Sequence, residues 1–151
     1  MKNLKIAILA ICMVIFTNLT AKAADTIAYA NFKKIESDYN YAKTVYKDID
    51  NKVLELQQYV IDKDKEFKAI DSPINKKNFE ERIQQEYKAK EDSVYNYKLT
   101  KENEIYNNII NGIKAVAAAK NIPIVLDYRM VFTGGTDITN DVIQYLNSTK
   151  K

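Results

Sequence analysis

The chain of 151 residues has no histidine and no tryptophan, a single cysteine, two prolines and three glycines. Without histidine the commonest general base and the commonest metal-binding side chain are missing. Cys12 lies inside an apolar leader, so the thiol nucleophile and any disulfide are lost once that leader is removed. An excess of charge is missing too. Residues 1–23 hold three lysines and no acid, so their removal leaves 20 basic against 20 acidic residues, and the quoted basic balance belongs to the leader. Composition therefore makes no case for a nucleic-acid partner.

The leader reads as a secretory signal peptide. Lys2 and Lys5 precede an unbroken apolar run from Ile6 to Phe16, and Ala21-Lys22-Ala23 supplies the small-residue cleavage site. The run is too short to span a bilayer. Cleavage after Ala23 predicts a periplasmic protein whose mature part, residues 24–151, is one domain: body segments 24–32 and 120–151, and a helical arm over 33–119.

The arm is the most strongly patterned stretch. Ile35, Tyr39, Ala42, Tyr46, Ile49, Val53, Leu56 and Val60 follow one another at alternating steps of four and three, the spacing of a narrow seam facing a partner helix. On the return, Ile83, Val94, Ile105 and Val116 recur every eleven residues. The break between the two patterns is Asp71-Ser72-Pro73-Ile74-Asn75, with Ser72 or Asn75 as the cap of the second helix. Folding back at Pro73 sets Phe67 against Phe79 and Val60 against Tyr87, which predicts a projecting hairpin of roughly 55 Å at 1.5 Å per residue. Lys90 and Lys101 occupy seam positions where apolar side chains are expected, so the middle of the arm is predicted to flex. Gly112 is expected to mark a bend.

Around the arm, TIAYANF (26–32) and IPIVLD (122–127) read as strands and Met130 to Thr133 as a third, closed by Gly134-Gly135. Asn121 and Pro123 end the second long helix. Thr139 is expected to cap a last helix with an apolar side formed by Val142, Ile143, Tyr145 and Leu146. Three short strands and one short helix make a poor core alone. The fold class expected is therefore α+β, a long antiparallel two-helix coiled-coil arm on a small β body completed by oligomerisation. Ile27, Tyr29, Ile124, Leu126, Val131 and Phe132 are the expected oligomer contacts in that body.

Catalysis finds no support in the residues. The acidic pairs Glu80-Glu81 and Glu91-Asp92 have nothing to desolvate them, the acids lack calcium-loop spacing, and Gly134-Gly135 lacks a phosphate-binding context. No catalytic residue, metal or cofactor is expected, and the chain is read as not an enzyme. All eleven tyrosines lie in the mature part. Tyr41, Tyr59, Tyr87, Tyr95, Tyr97 and Tyr106, with Phe67 and Phe79, are the candidate client-binding aromatics, since a phenol joins apolar area to an end that stays wet. Shielding of the interhelical contact is the simpler role for the same tyrosines.

With its opening IAYANFKKIESDY and the closing VLD, VF, DIT and V-I-x-x-L-N elements between Val125 and Asn147, the chain resembles the Skp/OmpH family of periplasmic chaperones. The resemblance implies a homotrimer whose arms enclose a cavity, an ATP-independent holdase in outer-membrane protein biogenesis. Its partners would be unfolded outer-membrane or other exported proteins and further copies of itself, close to the outer or inner membrane surface. A near-neutral mature chain departs from the basic character of that family. The alternative expectation is a structural or adaptor coiled-coil protein of the envelope that binds one folded partner.

Overall fold

The computed structural model describes residues 27–149; the proposed leader and cleavage site lie outside them. The order is β1 (Ile27–Ala30), α1 (Phe32–Asp38), α2 (Asn40–Lys68), α3 (Pro73–Ala119), β2 (Ile124–Asp127), a 3-10 turn (Tyr128–Met130), β3 (Thr136–Asp137) and α4 (Thr139–Ser148). The sheet runs β2-β1-β3, and both outer strands lie parallel to β1.

Local chemistry accounts for the element ends. The Asn31 side chain accepts the Lys34 N–H at 3.0 Å and starts α1. At Tyr39 the backbone turns extended, which separates α1 from α2. The Asn147 side chain bridges this break: its oxygen accepts the Asn40 N–H at 2.8 Å and its amide donates to the Asp38 carbonyl at 3.1 Å. Ser72 precedes Pro73, the first residue of α3, where a missing N–H costs nothing. That helix ends in a Schellman arrangement. Asn121 takes a left-handed φ of 55°, its N–H reaches the Ala118 carbonyl, and the Ile122 N–H reaches the Ala117 carbonyl at 2.9 Å.

One core runs through every helix and the sheet. Ala28 and Ala30 point inward from β1 and meet Ile35 of α1, Ala42, Val45 and Ile49 of α2, Ile105, Ile109 and Val116 of α3, and Ile138, Val142 and Leu146 around α4. Ile35, Ile105, Ile109, Ile138 and Val142 are fully buried within a single chain. The last buried residue on α2 is Ile49 and the first on α3 is Ile105.

These facts correct the expected fold class. The chain is one α+β domain in which four helices pack with a small parallel three-stranded sheet; it is not a coiled-coil arm carried on a body that other copies complete. The turns of α1, α2 and α3 nearest the sheet supply the core that strands and a short helix could not make alone. Positions Ile35, Ala42 and Ile49, read as a seam for one partner helix, serve this shared core. Farther along the same stripe, Val53 and Val60 are 38% and 47% exposed, so the regular spacing outlasts the burial it was expected to report.

Three smaller expectations also change. The third strand is Thr136–Asp137 rather than 130–133, because the Asp127 carboxylate accepts both the Arg129 N–H and its guanidinium, curling residues 127–130 into a turn. Asp137, not Thr139, holds the start of α4 by accepting the Thr139 N–H at 2.8 Å, while the buried Thr139 hydroxyl accepts the Asn31 N–H at 2.9 Å. Gly112 lies inside an unbroken α3, and a Cβ there would stand 2.9 Å from a Leu146 methyl. Its role in the fold is to permit close approach of α4.

Candidate functional site

Two surfaces remain once the core is accounted for: the cleft between α2 and α3, and the side of the sheet turned away from the helices.

The cleft is bridged by three phenol–carboxylate pairs. Tyr41 donates to Glu104 at 2.8 Å, Tyr59 donates to Glu86 at 2.6 Å, and Tyr97 donates to Asp48. Each pair joins α2 to α3, and each has a cation beside it. The Lys101 ammonium donates to the Tyr41 hydroxyl at 3.0 Å and to Glu104 at 2.8 Å. Lys52 lies 4.8 Å from the Tyr97 ring centre, and Lys63 and Lys90 lie 5.6 and 5.0 Å from that of Tyr59. Lys90 and Lys101, the seam lysines, thus lie against aromatic partners.

The electrostatics follow from the donors and acceptors. Burial, and then the Glu86 carboxylate that its hydroxyl serves, push the Tyr59 phenol up to about 12. The Tyr59 hydrogen bond in turn holds Glu86 below the usual carboxylate range, with Arg82 assisting at 3.0 Å. Tyr97 is raised chiefly by its bond to Asp48, and Lys101 chiefly by its bond to Glu104.

Toward the turn the cleft opens. Phe67 and Phe79 meet at 6.2 Å between ring centres, with Lys76 over one ring and Arg82 over the other. A cavity of about 460 Å³ lies there, walled by Val60, Phe67, Phe79, Ile83 and Tyr87 and bounded by Tyr59. A second cavity of about 230 Å³ begins on the other side of Tyr59, between Lys52, Leu56, Lys90, Val94 and Tyr97.

The expected client-contact aromatics are therefore dispersed. Tyr41, Tyr59 and Tyr97 are spent on bridges between helices, Phe67 and Phe79 on each other, and Tyr87 donates to Glu91 on its own helix. Tyr95 is 63% exposed, and Tyr106 rests 5.6 Å from Phe32 near the sheet.

The second surface belongs to the sheet. Side chains alternate across a strand, so with Ala28 and Ala30 buried, Ile27 and Tyr29 face outward. The parallel register sets Ile27 beside Ile124 and Tyr29 beside Leu126, giving four outward apolar side chains in two rows. Gly135 passes over Ile27 and Tyr29, where a Cβ would stand 3.2 Å from the Ile27 carbonyl oxygen. Beyond β2 the side chains of Met130 and Phe132 are 70% and 102% exposed, while Val131 is half-buried.

No protein-family model matches the chain, and no curated protein matches it. The resemblance to Skp/OmpH is therefore not supported, and the closed single-chain core removes the premise on which that assignment rested. The holdase and envelope-adaptor readings, the homotrimer and the unfolded clients fall with it, because the described residues form no cage between arms. Among the described residues no three histidine, cysteine, aspartate or glutamate side chains are grouped to hold a metal ion, and no helix is long and apolar enough to cross a membrane.

Proposed function

We propose that this chain is a non-enzymatic interaction module, acting after export to the periplasm, that accepts a β-strand of a partner polypeptide along the free edge of β2. The observation that carries this reading is β2, an outer strand whose one neighbour among the described residues is β1, with Ile124 on it 49% exposed and Phe132, further along the chain, wholly exposed. An open edge offers unpaired backbone N–H and C=O groups, and proteins normally blunt such edges with charge, proline or a bulge. Here β2 is Ile124–Asp127: Pro123 stands just before it and Asp127, paired with Arg129, ends it, so proline and charge lie at the two ends and leave Ile124, Val125 and Leu126 as an apolar middle. Main-chain pairing would supply affinity, while Ile27, Ile124 and Phe132 would cover alternate apolar side chains of the incoming strand. The leader-like residues 2–23 support export, and the lack of histidine supports a role without acid–base chemistry.

The test is hydrogen exchange on the mature chain titrated with a synthetic peptide of alternating valine and threonine. Protection at Ile124–Asp127 should rise at least tenfold, and Phe132→Ser should weaken the peptide about tenfold without altering the circular dichroism spectrum. Unchanged protection would overturn the reading. So would strong protection of the same amides without peptide that disappears on dilution, because another copy of the chain would then occupy the edge.

A further inference from the structure

We infer that the cleft between α2 and α3 is a binding site for a single-chain anionic amphiphile, a carboxylate or phosphate head on an alkyl tail. The two cavities share Tyr59 as a common wall and have opposite characters. The larger, of about 460 Å³, lies within the size range of small-molecule sites, roughly 300–1,000 Å³, and its Val60, Phe67, Phe79 and Ile83 walls offer an alkyl chain continuous apolar contact. Val60 is 47% exposed on this wall, so its apolar surface is left uncovered by the fold itself.

The smaller cavity brings two ammonium groups, Lys52 and Lys90, into its lining. Neither makes an ion pair among the described residues; each lies against an aromatic face, Lys52 on Tyr97 and Lys90 on Tyr59. Their neighbours sharpen the preference. Lys63, on the tail side of Tyr59, is committed to Glu66 at 2.7 Å, and Glu86 already accepts from Tyr59 and Arg82. Glu55 is the one carboxylate lining the smaller cavity, leaving two cations against one anion. At the larger cavity Asp64 is already paired with Lys68, and Lys76 and Arg82 lie over the Phe67 and Phe79 rings, so the orientation rests on the uncommitted pair Lys52 and Lys90 at the smaller one. A head placed between Lys52 and Lys90 leaves the tail directed past Tyr59 toward Phe67 and Phe79. The tail-side wall, from Tyr59 to Phe67, runs about 12 Å along α2 at 1.5 Å per residue.

Calorimetric titration of the full mature chain with decanoate, decyl phosphate and decanol, all kept below the concentration at which they aggregate, separates head from tail and carboxylate from phosphate. At least one anion should bind tenfold or more tightly than decanol, and whichever anion binds more tightly identifies the head. In Lys52→Gln/Lys90→Gln that difference should collapse to less than threefold. Ile83→Asp should abolish anion binding by charging the tail wall, with the circular dichroism spectrum unchanged because Ile83 contributes nothing to the buried core. Each single lysine variant serves should the double variant unfold. Equal affinity for anion and alcohol overturns the proposal, as does an anion affinity indifferent to both lysines or binding seen only once aggregates form.

Discussion

Asn147 has an influence out of proportion to its place near the end of the described chain. The break at Tyr39 leaves a carbonyl at the end of α1 and an N–H at the start of α2 that helical pairing does not satisfy, and one side-chain amide answers both, across 107 and 109 residues of sequence. Its oxygen and nitrogen each make one good bond, so neither aspartate nor leucine could replace it. Asn147→Ala should destabilise the protein by about 1–3 kcal/mol, since it removes two hydrogen bonds and strands backbone groups at the break. Asn147→Asp should retain the bond from Asn40 and lose the one to Asp38. Urea unfolding of the three proteins checks the order wild type, aspartate, alanine, and equal midpoints would show that water serves the break equally well. In the sequence Asn147 stood out only as the last letter of a V-I-x-x-L-N element. Nothing local signals a bond to residue 38 or 40, because the pairing exists only once α4 has docked on Gly112.

At the level of elements, much was legible and the fold class was not. The residues of β1 and β2, the helix break before Pro73 and the stop at Asn121 follow from apolar alternation, a fixed proline φ and a left-handed cap, all of them local causes. The misreading came from treating a regular 3–4 spacing as proof of one continuous seam. The spacing says which side of a helix is apolar; it does not say what covers it. Ile35, Ala42 and Ile49 meet a sheet and α4 as well as α3, whereas Val53 and Val60 on the same stripe stay partly open. The third strand failed for a different reason: Asp127 and Arg129 form a paired turn that outweighs the β propensity of Val131 and Phe132. The same distribution of burial predicts unequal stability along single helices. Opening free energy should follow buried apolar contact, so amides of residues 42–49 and 105–117 should exchange near the global limit. Those of residues 53–66 and 76–100 should exchange at least tenfold faster in native-state hydrogen exchange, despite belonging to the same α2 and α3. Uniform protection across Ile49 or Ile105 would mean that the phenol–carboxylate bridges hold the helices as firmly as the core does.

For the whole molecule, the missing histidines become a statement about pH. No side chain of the described residues has an ordinary pKa between about 5 and 8, so stability should be flat there and fall away on both sides. On the acid side, Asp62, Glu86 and Asp127 are held low by hydrogen bonds from Gln58, Tyr59 and Arg129, foremost among their causes. Groups lowered in the folded state stabilise it above their unfolded pKa and lose that contribution as pH falls through the folded one. On the alkaline side the sign reverses. Tyr59 and Tyr97 are raised, so their contribution is complete below the ordinary phenol value of about 10 and is lost as pH climbs, through about 12 for Tyr59. The bridges should therefore fail first at high pH, when phenolate faces the carboxylate to which the hydroxyl once donated. Urea midpoints measured from pH 5 to 11.5 should form a plateau that breaks above pH 10. Tyr59→Phe/Tyr97→Phe should lower the plateau and flatten the alkaline limb, because a ring without a hydroxyl has no proton to lose. An undiminished alkaline slope in that variant would show that the loss does not come from the Tyr59 and Tyr97 bridges.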